Sequence, residues 1–319
     1  MGVYNSPMPT LKQLHADFLE DLEIAQGRSA KTVENYDRYL QRFYTQQKVS
    51  SVAAITPEAV REFRRYLSVT ASRPHDISQA GVSLATQNYH LIALRQFLKY
   101  LAKRDIAALA PDKIGLAKLG ERDIDVLYPE EIDALLKSPP LHAHTPGAAR
   151  DRAMLETLFS TGIRVAELIS LDRDDIREAV SEVAVRGKGN KVRVVFLSDS
   201  ALQAIGEYLA LREDIDPALF IRHHAGPAPA EIDQANLRLT PRSVQRLIKK
   251  YAAAAGLTKN ITPHTLRHSY ATDLLSNGAD VRQVQQLLGH ASITTTQHYT
   301  HLTDVHLKDI HSRYHRKTA

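Results

Sequence analysis

The chain has 319 residues, and its 41 Lys and Arg against 36 Asp and Glu give a formal charge of +5, with a pI near 9.2. At roughly 150 residues per domain, this length suggests about two domains. Hydrophobic residues at 43% and charged residues at 24% are ordinary globular values and exclude wholesale disorder. The mild basic balance fits a nucleic-acid partner better than an acidic one. Cysteine is absent, so disulfides, zinc ribbons, iron–sulfur clusters and thiol nucleophiles are excluded, and covalent chemistry falls to oxygen or nitrogen. No apolar run approaches the roughly 18 to 20 residues of a membrane span. The Met1–Asn5 start lacks the basic and apolar regions of a signal peptide, and Gly2 with Ser6 matches the myristoylation pattern only weakly. A cytoplasmic protein with no membrane partner is expected.

The first hundred residues read as helices. Leu11, Leu14, Phe18 and Leu22 recur at helical spacing, as do Val33, Tyr36, Leu40 and Phe43 after a Ser29/Thr32 start signal. Thr56-Pro57-Glu58 opens a third helix, with Thr as cap, Pro in the first turn and an acid beside it. Val60, Phe63 and Leu67 share its inner face. A loop over 73–81 precedes a fourth helix carrying Leu84, Leu91, Leu94, Leu98 and Leu101. Four amphipathic helices make a small bundle, whose polar faces carry Arg61, Arg64, Arg65, Arg95, Lys99 and Lys103. Apolar periodicity fades after Arg104, so 1–103 is taken as the helical domain, 104–126 as a linker and 127–319 as a second domain.

That second part opens a helix at Tyr128-Pro129-Glu130-Glu131, and another spans Ala149–Phe159 until Thr161-Gly162 stops it. Arg164–Leu168 begins a short new helix. The period then changes to two: Val183 and Val185, a turn at Gly187–Asn190, then Val192, Val194 and Phe196 read as a β-hairpin. Helices resume at about 199–212, 241–255, 263–276, 281–288 and 293–299, and a last one runs from Leu302 to Lys317. The fold class expected is mainly α: a four-helix bundle plus an α+β domain with a small β-hairpin.

Candidate chemistry clusters in this second part. In Thr262-Pro263-His264-Thr265-Leu266-Arg267-His268, the cap and the proline set a helix start. His264 and Arg267 lie three apart beside its positive end, an arrangement suited to an anion such as phosphate. Gly289 ends the 281–288 helix and frees His290, and Tyr299 follows nine residues later. Upstream, Arg164 starts a helix with Glu167 three residues on, where it can hold the guanidinium. Lys188 sits at a hairpin tip within a basic run of Arg186, Lys188, Lys191 and Arg193. Each of these also has an ordinary reading: a solvated cation, a helix-end His, a half-buried aromatic.

Their order carries more than any one of them. Arg164, hairpin Lys188, His264-x-x-Arg267, Leu288-Gly289-His290 and Tyr299 together resemble the tyrosine recombinase (phage integrase) family, and within it the XerC/XerD-type site-specific recombinases. The likeness runs from about 128 to the end, and Thr32-Val33-Glu34-Asn35-Tyr36 extends it to that family's N-terminal, SAM-like core-binding domain. The resemblance implies that Arg164 and Arg267 clamp a DNA phosphate, His290 adds a hydrogen bond, Tyr299 attacks, His264 takes its proton and Lys188 protonates the departing 5′-oxygen. Glu167 would support Arg164. It implies no cofactor and no metal. Its partners would be double-stranded DNA and further protomers, a homotetramer or a heterotetramer with a paralogue on two DNA sites, joined through a C-terminal helix at about 303–315. A cell-division or accessory protein is a further regulator it suggests. Candidate DNA contacts are Arg61, Arg64, Arg65, Arg95 and Lys99 in the first domain, and Arg186, Lys191, Arg193, Arg242, Arg246, Lys249 and Lys250 in the second.

Two segments depart from the compact Xer pattern, 222–238, which looks long, and the loop-rich 138–147. Competing readings are a mobile-element integrase or excisionase of the same family, a type IB topoisomerase-like relaxing enzyme, a non-catalytic DNA-binding relative and a metal-dependent nuclease. A zinc site is disfavoured because His-Glu-x-x-His is missing and no Cys can help.

Overall fold

The structure, a computed structural model, describes residues 9–69, 81–120, 125–140, 145–176, 181–187, 191–223 and 237–289. The chain divides into two compact units, Met1–Arg122 and Asp123–Ala319.

The first unit is built on α1 (Leu11–Glu20), α2 (Ala30–Gln47), α3 (Pro57–Val69) and α4 (Leu84–Ala102). Hydroxyl caps begin all four: Thr10, Ser29, Thr56 and Ser83 accept from backbone N–H groups one turn on, satisfying donors that a helix start leaves open. The inner faces meet in an aromatic core. Phe18 lies edge-on to Phe97 and Tyr100, and Phe43 to Phe63, geometries that align ring edges with ring faces. The apolar residues of α1 continue through one wide turn, Asp21–Ala25, which keeps Leu22 buried. Leu84 departs from its expected core place: it is the first helical residue of α4 and is exposed.

Residues 104–120 lack an apolar stripe, yet they lie against the bundle. Ile114 is buried in its core. Asn88 donates to the Ala117 carbonyl (2.8 Å) and accepts from its N–H (3.0 Å). This side-chain amide substitutes for a backbone partner, and Ile106 and Leu109 pack against the same core, so the segment docks through a few polar bonds and irregularly spaced apolar anchors, a pattern invisible to periodicity.

In the second unit, α5 (Pro129–Lys137) and α6 (Pro146–Thr161) are followed by α7 (Val165–Ser170), the hairpin β1 (Glu182–Arg186) and β2 (Val192–Phe196), α8 (Asp199–Ala210), α9 (Pro241–Ala254), α10 (Pro263–Ser276) and α11 (Val281–Leu288). Helix α6 is the centre. Ala153, Met154, Leu155 and Leu158 are buried, and Thr157 and Thr161 turn their hydroxyls back onto the Ala153 and Thr157 carbonyls (2.7 and 2.5 Å), so the polar groups enter the core already bonded.

The hairpin is antiparallel, with Val183 opposite Val195 and Val185 opposite Arg193. The expected apolar set on β2 is therefore on the wrong face. Val192, Val194 and Phe196 are exposed, and the buried side is Val183, Val185 and Val195. Both phases of β2 carry apolar residues, so alternation alone could not choose between them, and pairing with β1 decides. The ends of the long 222–238 segment pair with each other, Arg222 N–H to the Leu237 carbonyl (2.8 Å), while 224–236 fall outside the described residues. Among the described residues, no helix is long and apolar enough to cross a membrane.

Gly162 ends α6 with φ +59°, and a Cβ there would stand 2.3 Å from Cδ1 of Tyr270 and 3.1 Å from Leu288. Both the left-handed backbone and the lack of space exclude a side chain. Gly162→Ala should lower Tm by several degrees in a thermal melt, since a strain of roughly 1–3 kcal/mol moves a domain of this size by that amount. An unchanged Tm would show that α10 does not pack against this turn as described.

Candidate active site around Arg164, Glu167, His264 and Arg267

The Gly162 stop turns the chain so that Arg164 becomes the residue capping α7. Glu167 stands one turn later. Its carboxylate accepts from the Arg164 backbone N–H (2.8 Å) and from Arg164 Nη1 (2.9 Å). It also accepts two parallel bonds from Arg193, Nη1 to Oε1 at 2.9 Å and Nη2 to Oε2 at 2.7 Å. Glu167 is 3% exposed. Burial alone would raise its pKa, but the hydrogen bonds and charges of the two arginines overcome this and hold it down at about 2. Glu167 therefore fixes Arg164 as the sequence suggests, while the Arg164 side chain stays 40% exposed.

Arg267 projects from α10 into the interior, and at 2% exposed it heads the fully buried large side chains of the described residues. Nη1 donates to the Gly162 carbonyl (2.6 Å) and Nη2 to the Leu288 carbonyl (2.5 Å). It thus ties the ends of α6 and α11, the two segments that lead directly into Arg164 and toward His290. His264 and Arg267 lie three apart on one side of α10, as the spacing implies, but at different depths. Arg267 is 2% exposed with its guanidinium bonded to two backbone carbonyls, whereas His264, one turn earlier, is exposed.

His264 occupies the second position of α10, after the Thr262 cap and Pro263. Its ring packs edge-on to His268, with centroids 4.2 Å apart. Its pKa is lowered, first by desolvation and then by the positive charges of Arg267 and Arg164. That coupling places the three groups in one electrostatic neighbourhood and keeps the imidazole neutral, able to accept a proton. A cleft of about 610 Å³ opens beside Arg164, lined also by Glu167, Ser170, Asp172, Asp175, Arg186 and Gly187 among others, while His264 and Arg267 are not in its lining. Lys188, His290 and Tyr299, and the 303–315 helix, lie outside the described residues; the hairpin closes immediately below its tip, Gly187 N–H to the Lys191 carbonyl (2.8 Å). Among the described residues, no cluster of three or more His, Asp or Glu could hold a metal ion.

The basic candidates divide. Arg242, Arg246, Lys249 and Lys250 all stand exposed on α9, outside its buried Val244–Leu247–Ile248–Tyr251 face. Arg186 and Lys191 are exposed on the hairpin, and Arg65 and Lys99 on the first unit, where Arg61 forms a surface ion pair with Glu58. Arg64 instead donates to the Gly115 carbonyl, and Arg95 is half-buried. Arg193 is turned inward: its side chain is 13% exposed and its guanidinium is engaged by Glu167. Its place in a basic run suggested an outward cation. The strand phase opposite Val185 was the signal that could have placed it inside.

The sequence profile described as the phage integrase family matches residues 125–306, and that described as its N-terminal SAM-like domain matches residues 16–105. The chain is 36% identical over 311 residues to a protein named tyrosine recombinase XerD from Oceanobacillus iheyensis, covering 94% of this chain and 97% of that one. It is also 36% identical over 313 residues to the XerD of Staphylococcus saprophyticus, at 94% and 97% coverage. Among solved structures, it is similar to the XerA recombinase, with a TM-score of 0.51, 28% identity and coverage of 96% and 99%. The fold is shared with the Tn1549 transposon integrase in complex with transposon right end DNA, with a TM-score of 0.69, 20% identity and coverage of 97% and 100%. The chain belongs to the phage integrase family of tyrosine recombinases. It is a tyrosine-type DNA strand transferase of the XerC/XerD kind, and its activity is site-specific recombination.

Proposed function

We propose that the chain cuts and rejoins double-stranded DNA at two copies of one site, through a 3′-phosphotyrosyl intermediate on Tyr299 and a Holliday junction, and that it serves chromosome-dimer resolution. The observation that carries this reading is the convergence of Arg164, Arg267 and His264 on the junction of α6, α7 and α10, in a chain whose full-length relatives are named XerD.

The chemistry follows from the phosphodiester. In-line attack piles charge on its non-bridging oxygens, so catalysis needs fixed cations around them. Arg164 is held by Glu167 with its guanidinium still accessible and supplies one. Arg267, permanently charged, supports the clamp from beneath while tying its two flanking segments together. A phenol of pKa near 10 is a poor nucleophile at neutral pH, and neutral His264 is the group to take its proton as attack proceeds. Lys188 gives a proton to the departing 5′-oxygen, and His290 adds a hydrogen bond to the phosphate. The bond energy stays in the tyrosyl ester, so strand exchange needs no ATP. The exposed cations of α9 and the hairpin neutralise DNA phosphates. Four protomers, of this chain alone or with a paralogue, act on two sites in the cytoplasm and exchange contacts through the 303–315 helix.

The pH dependence has a definite sign. His264 works as a base only when neutral, and its depressed pKa keeps it neutral below the ordinary value of about 6.5. Cleavage rates measured against pH should hold through neutrality and fall only on an acid limb centred below about 6.5. In His264→Gln the rate should be lower and that limb lost. The reading as a whole is tested with a plasmid carrying two directly repeated copies of the host's chromosomal recombination site. Purified protein, with its paralogue added where one exists, should resolve it into two circles without ATP. Relaxation of the plasmid with no resolved circles would favour the topoisomerase-like alternative.

A further inference from the structure

We propose that Arg193 is a positioning residue: it occupies Glu167 so that Arg164 remains turned toward the cleft with its positive charge unspent. This rests on the recombinase reading above, and it assigns to a residue of the basic hairpin run a role other than touching DNA.

One buried carboxylate lies between two guanidinium groups. Arg193 takes both its oxygens in a fork, at 2.9 and 2.7 Å, the geometry in which a guanidinium pairs most strongly. Arg164 has only a single side-chain bond to the same carboxylate, Nη1 to Oε1 at 2.9 Å, and its side chain keeps 40% of its exposure, against 13% for Arg193. The charges add to +1, and the arginine that faces the cleft is the one left uncompensated. Without Arg193, Oε2 opens to the second nitrogen of Arg164. A small rotation would then draw Arg164 into the fork, away from an approaching phosphate, and cancel its charge.

Arg193 is also fixed from a third side. Its Nε donates to the Leu287 carbonyl (3.1 Å), and its shaft crosses Gly289, where a Cβ would stand 2.9 Å from Arg193 Cδ. Gly289 has φ +63°, so the glycine that ends α11 also makes room for this arm. Arg193 therefore joins β2, the start of α7 and the end of α11, three segments that carry or adjoin Lys188, Arg164 and His290. A surface phosphate contact would need the guanidinium edges that Glu167 already holds.

The test uses the full chain with Arg193→Met, which keeps the apolar shaft, and Arg193→Lys, which restores a charge. Arg164 in the free protein is labelled with phenylglyoxal, and its modification rate is read by peptide mass spectrometry. Arg193→Met should slow labelling of Arg164 by at least about 3-fold and Arg193→Lys should recover most of the rate; labelling at the wild-type rate in Arg193→Met overturns the proposal. On a nicked DNA substrate at saturating protein, Arg193→Met should cleave roughly 100-fold more slowly, as expected of a misplaced clamp. Its DNA affinity should stay within about 3-fold and its salt dependence unchanged, and Arg193→Lys should regain at least about 10-fold of the rate. A variant that cleaves normally but loses about one unit of salt slope would make Arg193 a DNA contact and overturn the proposal. A wild type that never becomes attached to DNA contradicts the recombinase reading instead, and the labelling result then judges Arg193 by itself.

Discussion

Arg267→Ala should abolish strand cleavage and destabilise the second unit at once. The Arg267 side chain is 2% exposed and bonds two backbone carbonyls, those of Gly162 and Leu288. Truncation leaves both acceptors buried without that donor and opens a void the size of the arginine side chain beyond Cβ. A buried acceptor stripped of its donor costs roughly 1–3 kcal/mol, so a loss of about 3–5 kcal/mol is expected. In a domain near 200 residues this corresponds to a Tm lower by roughly 10 °C. The catalytic loss should exceed what instability explains. Measured well below the Tm, single-turnover cleavage should fall by at least about 1,000-fold, because a fixed cation and the placement of two neighbouring segments go together. Arg267→Lys should recover little, since one ammonium cannot span two carbonyls on different helices. DNA binding by Arg267→Ala should weaken only modestly. Cleavage within tenfold of wild type would remove Arg267 from the machinery.

Glu167→Gln produces the second large effect, and it has a pH signature. Two guanidinium groups converge on this carboxylate, and without its charge they repel in a buried setting. Removing one member of such a set costs about 3–5 kcal/mol. The linkage runs in one direction. Glu167 has a folded pKa of about 2 against an ordinary 4.5, so its contribution is complete above about pH 4.5 and is lost as the pH falls toward 2. The shift corresponds to about 3 kcal/mol. Urea melts of the wild type should therefore lose stability steeply between pH 4.5 and pH 2, and Glu167→Gln should start lower and change less over that window. Parallel pH profiles for the two proteins would contradict the carboxylate clamp.

Much of this site could be read before any geometry was known, because its cues are local. Thr262-Pro263 sets a helix start whatever surrounds it, and the α10 and α11 ranges agree with periodicity residue for residue. The Arg164–Glu167 spacing announces a bond within one helical turn, and it is present. What escaped was decided by distant partners. The inward turn of Arg267 depends on carbonyls 105 and 21 residues away. The burial of Arg193 depends on which phase of β2 faces the core, and both phases carried apolar residues. The docking of 104–120 rests on irregularly spaced apolar anchors such as Ile114 and on the amide of Asn88, which a helical wheel counts as merely polar.

The role given to Tyr299 meets its most direct test in a covalent trap. Protein is incubated with a nicked suicide DNA site in EDTA and without ATP, the adduct is digested, and the peptide that carries the nucleotide is sequenced by mass spectrometry. The modification should fall on Tyr299, and Tyr299→Phe should bind the same DNA yet yield no adduct. A covalent adduct that persists in Tyr299→Phe, or one that maps to another residue, would contradict the mechanism.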